Sequence, residues 1–134
     1  MAVKYVLDAH PLIWYLEGNP RLSITARSLM DDPSSELVLP AIALAEALHV
    51  VFKGRTAIPS PADLLRDVAA DPRIEVFPLT VDVLREGLKA GAIPEMHDRL
   101  ITATAMFLRG RGNRVTVVTK DSAITASNLV SVLW

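Results

Sequence analysis

The chain opens with a short apolar run that ends at one carboxylate and passes directly into helix-like sequence. Strand-forming residues lead up to Leu7, Asp8 follows, and apolar residues at helical spacing continue from Leu12 to Leu16. This change of period predicts a strand followed closely by a helix, with Asp8 at the carboxyl end of the strand. Because ligands of open α/β sheets collect at that end of the strands, Asp8 is the first candidate for a functional residue.

The same alternation of short β-rich runs and helical segments continues along the whole chain. Such alternation favours the α/β class, as a layered sandwich in which helices flank a mostly parallel central sheet. No repeat, low-complexity tract or linker interrupts the pattern, so residues 1–134 are predicted to form a single domain. Further strands are predicted at about 36–39, 74–77, 115–118 and 129–133, and further helices at about 23–32, 40–53, 60–71, 80–89, 98–109 and 121–127.

Composition excludes some kinds of site and leaves others open. The chain has no cysteine, which excludes disulfides and thiolate metal sites and fits a reducing compartment. Its 14 Lys and Arg residues nearly balance 15 Asp and Glu residues, so the net charge of -1 argues neither for nor against a polyanionic partner. The hydrophobic fraction of 51% is high, which would suit a partner that covers part of the surface.

Targeting and membrane signals are not found in the sequence. Asp8 interrupts the first apolar run before a secretory signal could form. The longest apolar tract, Leu37–Phe52, contains Pro40, Glu46 and His49 and is too short and too polar to span a bilayer. We therefore expect a cytoplasmic protein without a membrane segment.

Four acidic residues stand out because each follows a predicted strand or interrupts apolar sequence. Asp8 and Asp121 lie at strand-to-helix turns, Asp98 opens a predicted helix, and Glu46 lies alone in an alanine-rich apolar helix. The three aspartates could simply cap the helices that follow them. Glu46 has no such explanation, because a carboxylate on an apolar helix is costly to bury without a cation or hydrogen-bond donors. Together, the positions favour one shared site over four separate roles.

A cluster of carboxylates needs counter-charge, because neighbouring like charges raise one another's pKa. Hard divalent cations such as Mg²⁺ prefer oxygen ligands and pair with substrate phosphates. A cation held in this way polarises a phosphoryl oxygen and activates water. The predicted chemistry is therefore phosphodiester cleavage.

Four segments carry these acids in a characteristic order. They are Leu7–Trp14, the alanine-rich helix around Glu46, Pro94–Ala103 with its Asp98-Arg99 pair, and Thr119-Lys120-Asp121. Each segment alone is a weak signal, but the ordered set covers essentially the whole chain. In this respect the chain resembles the PIN-domain ribonucleases, particularly the VapC-type toxins.

The resemblance implies a PIN-like sandwich fold and a Mg²⁺- or Mn²⁺-dependent endoribonuclease. By that resemblance Asp8, Glu46, Asp98 and Asp121 are the catalytic and metal-binding residues. It also implies an RNA substrate, a homodimer and a cognate antitoxin protein.

Three features depart from the family pattern. Ala9 stands where a hydroxyl residue is common, so any contact from that hydroxyl is lost. The segment before Asp98 is compressed, with His97 immediately adjacent, and no acidic residue follows Asp121.

Five further residues adjoin the four acids and are candidates for contacts with substrate. Arg99 and Lys120 are placed to meet a phosphate, and Thr119 begins the last acidic segment. His10 and His97 could contact substrate or neighbouring carboxylates, although local packing or capping explains them equally well.

The rest of an RNA-binding surface is not readable from the sequence. The three arginines within Arg109–Arg114 form either a solvated loop or a salt-sensitive phosphate contact. Trp14 and Tyr15 either pack in the core or form a groove for an amphipathic partner segment. No run of aromatic and basic residues suggests a platform for stacked bases.

Other functions remain open. A phosphatase with an aspartyl nucleophile would need an acid two residues after Asp8, where the chain has His10, and the acidic pair of a receiver domain is missing. A catalytically silent PIN-like scaffold and a housekeeping RNA-processing nuclease are the alternatives to a toxin. A concentrated negative pocket would hinder a scaffold that only binds RNA, which argues for the nuclease.

Overall fold

The computed structural model describes residues 2–134, in which five strands alternate with helices along the chain. The strands are β1 (Val3–Leu7), β2 (Glu36–Pro40), β3 (Ile74–Phe77), β4 (Arg114–Val118) and β5 (Ser131–Leu133). The helices are α1 (Ala9–Glu17), α2 (Ile24–Asp31), α3 (Ala41–Phe52), α4 (Pro61–Ala70), α5 (Val81–Gly87), α6 (Met96–Gly110) and α7 (Ser122–Ser127), with a 3-10 turn at Leu88–Ala90.

The strands form one sheet in the order β3-β2-β1-β4-β5, and every neighbouring pair is parallel. The chain therefore builds the sheet outward from β1 in one direction through β2 and β3, and then returns to the other side of β1 for β4 and β5. The predicted α/β class, with a mostly parallel sheet flanked by helices, is confirmed. All five strands that the structure describes are parallel.

The core is centred on β1 because this strand is the middle one of the five-stranded sheet. Val6 and Leu7 at the end of β1 are fully buried, as are Val117 and Val118 beside them in β4. Parallel strands need apolar residues on both faces, since helices cover the sheet on both sides. Each side chain of this size contributes about 1.5–3 kcal/mol when it is buried. The carboxyl end of β1 is therefore anchored in the most tightly buried part of the molecule.

Most predicted helix boundaries are confirmed by the capping side chains. The hydroxyl groups of Ser23, Ser60 and Thr80 each accept a hydrogen bond from the backbone N–H three residues later. Gly54, two residues after the end of α3, has a positive φ of 70°, a conformation in which glycine is not strained.

Two predicted boundaries were wrong, and one of them concerns the site. Pro40 is the last residue of β2, not part of the first turn of α3. The sixth helix begins at Met96 instead of Asp98, because Glu95 caps it by accepting a hydrogen bond from the N–H of Asp98 at 2.9 Å. Asp98 thus lies within the first turn of α6, and its carboxylate is not used as the cap.

Among residues 2–134, no helix combines the length and the apolar character that crossing a membrane would require.

Candidate active site

The sheet topology itself indicates where a ligand would bind. The strand order reverses between β1 and β4, since the chain leaves β1 towards one edge and later resumes on its other side. In open parallel sheets a crevice forms at such a reversal, outside the carboxyl ends of the strands. Asp8 directly follows β1, and Asp121 follows β4 by three residues. Two of the four predicted acids therefore lie on either side of this crevice.

Asp8 is held rigidly at the end of β1. Its N–H donates to the carbonyl of Val118 at 3.2 Å, which extends the pairing of β1 with β4 by one residue. One carboxylate oxygen, Oδ1, accepts a hydrogen bond from the N–H of Ala9 at 2.7 Å and caps α1. The other, Oδ2, accepts from the Thr119 hydroxyl at 2.6 Å. Because the side chain is buried, these two hydrogen bonds fix the orientation of its carboxylate.

Thr119 links the two aspartates that follow the central strands. Its hydroxyl donates to Asp8 and accepts a hydrogen bond from the N–H of Asp121 at 3.0 Å. Asp121 in turn caps α7, because its Oδ1 accepts from the N–H of Ile124 at 2.9 Å. The buried threonine thus ties the loop after β4 to the loop after β1.

Glu46 approaches the same crevice from α3. It is partly buried, and its Oε1 atom is fully buried with no hydrogen-bond partner among the residues that the structure describes. Buried carboxylate oxygens are normally paired, because an unpaired one loses its hydration without compensation. This unpaired oxygen is the least satisfied polar group of the site.

The start of α6 brings two more acids and a histidine. Glu95 caps the helix with one oxygen, and its other oxygen lies 2.6 Å from Nδ1 of His97. Glu46, Glu95 and His97 each offer one ligand atom, and these three atoms lie within 4.8 Å of one another. Glu95 was not predicted as a site residue. The signal that could have revealed it is its position three residues before Asp98, where it can cap the helix that carries Asp98.

The acidic side chains surround one cavity of about 380 Å³, which we call the acidic cavity. All four predicted acids lie along its wall, together with two of the predicted substrate-binding residues. The lining residues are Asp8, His10, Pro11, Trp14, Glu46, Glu95, Asp98, Lys120 and Asp121.

The remaining predicted site residues lie outside the lining of the acidic cavity. Thr119 acts from behind it through Asp8, and His97 reaches towards Glu95 and Glu46. Arg99 donates from Nε to the carbonyl of Ile93 at 3.0 Å and from its terminal nitrogen to Pro94 at 3.1 Å. Arg99 therefore orders the loop before α6 through these two carbonyls, and its contact with a phosphate stays a prediction.

Crowding of the acids changes their acidity. Burial, together with the charges of Asp121, Asp8 and Glu95, raises the pKa of Asp98 to about 7. Burial also raises the pKa of Asp8, although its hydrogen bonds from Thr119 and Ala9 act in the opposite direction. The pKa of Glu46 is raised by burial and by the nearby charge of Asp8. The site thus concentrates negative charge that its own residues do not neutralise.

The donor set fits a hard divalent cation. Carboxylate oxygens predominate around the acidic cavity, and no cysteine is available anywhere in the chain. The unpaired Oε1 of Glu46 and the raised pKa of Asp98 both indicate a shortage of positive charge. Mg²⁺ and Mn²⁺ prefer such oxygen ligands and would supply that charge.

Comparisons with known proteins agree with this geometry. The family profile described as "PIN domain" matches residues 5–126, which is most of the chain. A search of curated proteins gives no match.

Solved structures share the fold at low sequence identity. VapBC2 from Rickettsia felis, bound to a DNA fragment from its promoter, is 15% identical with a TM-score of 0.69, over 97% of both chains. FitAcB from Neisseria gonorrhoeae is 19% identical with a TM-score of 0.67, over 97% of this chain and 96% of the other. A toxin-antitoxin complex from Klebsiella pneumoniae is 17% identical with a TM-score of 0.67 and the same coverage.

Proposed function

Because the chain belongs to the PIN domain family, we propose that it is a metal-dependent endoribonuclease, the toxin of a toxin–antitoxin pair. Asp8, Glu46, Asp98 and Asp121 would hold Mg²⁺ or Mn²⁺ and carry the catalysis. Members of this family act as nucleases, and the metal dependence and the RNA substrate are the parts that we propose for this chain.

The observation that carries the proposal is Glu46, which lines one cavity with the three aspartates and whose buried Oε1 has no hydrogen-bond partner among the described residues. Leaving such an oxygen without a partner costs about 1–3 kcal/mol, a cost that a bound cation would offset. A scaffold that only binds RNA would gain nothing from repelling the phosphate backbone at this point. A cation-binding site explains both the unpaired oxygen and the excess of acids.

Each residue has a distinct task in the proposed hydrolysis. When bound, a divalent cation would polarise a phosphoryl oxygen and make water more acidic. Thr119 and the N–H of Ala9 keep both oxygens of Asp8 oriented, so this ligand needs no reorganisation on binding. Lys120 lines the acidic cavity and would offset the charge of the phosphate next to the carboxylates. His10 lies at the edge of the cavity, where it would contact the RNA beside the scissile bond.

The central test is an RNA cleavage assay with Asp8→Asn. We expect the wild-type protein to cleave single-stranded RNA with Mg²⁺ or Mn²⁺ and to lose activity in EDTA. Asp8→Asn should lower cleavage by at least about 100-fold, because it removes one charged ligand while keeping the oxygen that caps α1. Asp63→Asn is the matched control, since Asp63 lies on α4 outside the acidic cavity.

Two results would contradict the nuclease. One is full activity of Asp8→Asn after purification that removes contaminating ribonucleases. The other is a calorimetric titration in which the wild-type protein takes up neither Mg²⁺ nor Mn²⁺, which would favour a silent scaffold.

We further propose that an antitoxin protein binds this chain. The Klebsiella pneumoniae structure is described as a toxin-antitoxin complex, and its chain shares the fold. Ile24 and Phe52 are large apolar residues that are mostly exposed, as expected for a surface that a partner protein covers. Co-expression with a small protein encoded beside this gene should relieve any growth arrest that the chain alone causes.

A homodimer is the proposed assembly, and an apolar surface on α5 and the following 3-10 turn supports it. Val81 and Leu88 are 68% and 82% exposed, and Leu84 lies between them in sequence with 44% exposure. Monomers rarely leave several large apolar side chains exposed together. We call these three residues the α5 patch.

A further inference from the structure

A second cavity, of about 450 Å³, adjoins the acidic cavity. It lies between α1, the end of α3 and the segment that follows α3. His10 and Trp14 line both cavities, so one side of α1 forms a wall common to the two. The two cavities therefore meet at these two side chains.

This second cavity has the opposite charge to the first. Arg21, Lys53 and Arg55 line it, and Glu17 is the one acid among its lining residues. The three cations are exposed, and within residues 2–134 none of them takes part in an ion pair. We call this cavity the basic groove. Its excess of positive charge contrasts with the net charge of -1 of the whole chain.

The acid in the basic groove has a structural task. One oxygen of Glu17 accepts a hydrogen bond from the N–H of Ala57 at 2.7 Å, and the other accepts from the side-chain amide of Asn19 at 3.2 Å. Glu17 therefore fastens the segment after α3 to the end of α1. Its oxygens are occupied by N–H donors, whereas the three cations remain available for a ligand.

We propose that the basic groove binds the stretch of single-stranded RNA next to the scissile phosphate. This inference rests on the proposed nuclease function and names the surface that holds its substrate. Phosphate groups would lie against Arg21, Lys53 and Arg55. The half-buried ring of Trp14, which also packs against the rings of His10 and Trp134, would contact a base at the boundary of the two cavities. The groove also supplies positive charge, of which the acidic cavity has only Lys120 against five acids.

RNA affinity of a cleavage-deficient protein tests this proposal. Fluorescence anisotropy with a short single-stranded RNA is measured in Mg²⁺ over a series of salt concentrations, in the Asp8→Asn background. Lys53→Ala combined with Arg55→Ala, which we call the groove variant, should weaken RNA binding about tenfold at moderate salt. The slope of log affinity against log salt should become shallower by about 1.4, because each lost phosphate contact to a single strand removes about 0.7.

The matched control removes the same charge elsewhere. Arg66 is an exposed residue of α4, and Arg114 begins β4 at the end of the strand opposite to the acids. Arg66→Ala combined with Arg114→Ala should leave both the affinity and the salt slope unchanged. Equal RNA affinities of the groove variant and the control would overturn the proposal. An acidic protein segment would then be the alternative ligand of the basic groove.

Hydrolysis of bis(4-nitrophenyl) phosphate by otherwise wild-type protein separates this proposal from the nuclease itself. This small diester fills only the acidic cavity, so we expect the groove variant to cleave it at the wild-type rate and to lose activity only on RNA. If the wild-type protein cleaves neither substrate but still binds RNA through the basic groove, the proposed nuclease function is contradicted and the proposed RNA binding is supported. If the groove variant loses both activities equally, the groove proposal fails.

Discussion

Replacing Asp98 with Asn tests whether the acids really crowd one another. In the folded, metal-free protein the pKa of Asp98 is about 7, against an ordinary value of 3.8. The folded state therefore binds this proton more tightly than the unfolded chain does. The resulting stability is fully present below about pH 4 and is lost as the pH rises to about 7. Asp98→Asn removes the charge and should abolish that loss.

The size of the effect follows from the pKa difference. At about 1.4 kcal/mol per pH unit, the full difference corresponds to about 4 kcal/mol. Asp98 is only partly buried, so solvent screening reduces the expected effect to about 1–2 kcal/mol. We expect Asp98→Asn to stabilise the metal-free protein by this amount at pH 8 and to change its stability little at pH 4.

Urea denaturation in EDTA, at several pH values between 4 and 8, measures this difference. Adding Mg²⁺ should reverse the order at pH 8, because the cation stabilises the wild-type protein and has lost a ligand in the variant. Asp67→Asn on α4 is the control, and it should show no such pH dependence. Equal destabilisation by Asp98→Asn at pH 4 and pH 8 would refute the argument, since it would mean that the side chain acts only through packing.

Two other predictions concern the support of Asp8 and the proposed dimer. Thr119→Val should lower the free energy of unfolding by about 1–3 kcal/mol, because the Oδ2 of Asp8 and the N–H of Asp121 lose their hydrogen-bond partner. Thr119→Ser keeps the hydroxyl and should lower it by less than about 1 kcal/mol. Urea denaturation measures both variants, and equal losses would contradict the role of the hydroxyl. Leu88→Glu in the α5 patch should convert the proposed dimer into a monomer, as measured by light scattering. Ile24→Glu is the control, because Ile24 is 86% exposed and lies outside the α5 patch, and this variant should remain a dimer. A dimer that persists in Leu88→Glu would exclude the α5 patch as the interface.

Much of the fold is readable from the sequence because local signals agree with the tertiary structure. Each strand is a short β-branched or apolar run, and hydroxyl caps such as Ser23 and Ser60 mark where helices start. Strand order is not encoded in this local way. Nothing in the sequence near β4 says that it pairs with β1, since that pairing depends on how the whole chain packs.

The candidate site could be predicted from the sequence only in part. Sequence patterns brought out the four acids, because each breaks an apolar pattern or follows a strand. Glu95 was missed because exposed acids near helix starts are common and its contact with His97 depends on the turn of α6. The basic groove was missed because Arg21 is far from Lys53 and Arg55 in sequence, and only folding brings them to one cavity.

Helix capping and cation binding are compatible explanations for the aspartates, because a capping carboxylate uses only one of its two oxygens for the cap. Asp121 caps α7 through Oδ1, which leaves its Oδ2 available to a ligand. At α6 the two tasks are divided between residues, since Glu95 supplies the cap and Asp98 keeps its carboxylate at the acidic cavity. Capping therefore positions these acids and leaves carboxylate oxygens that are not used for the cap. A cap also holds the carboxylate at the positive end of a helix dipole, which partly offsets its repulsion with the neighbouring acids.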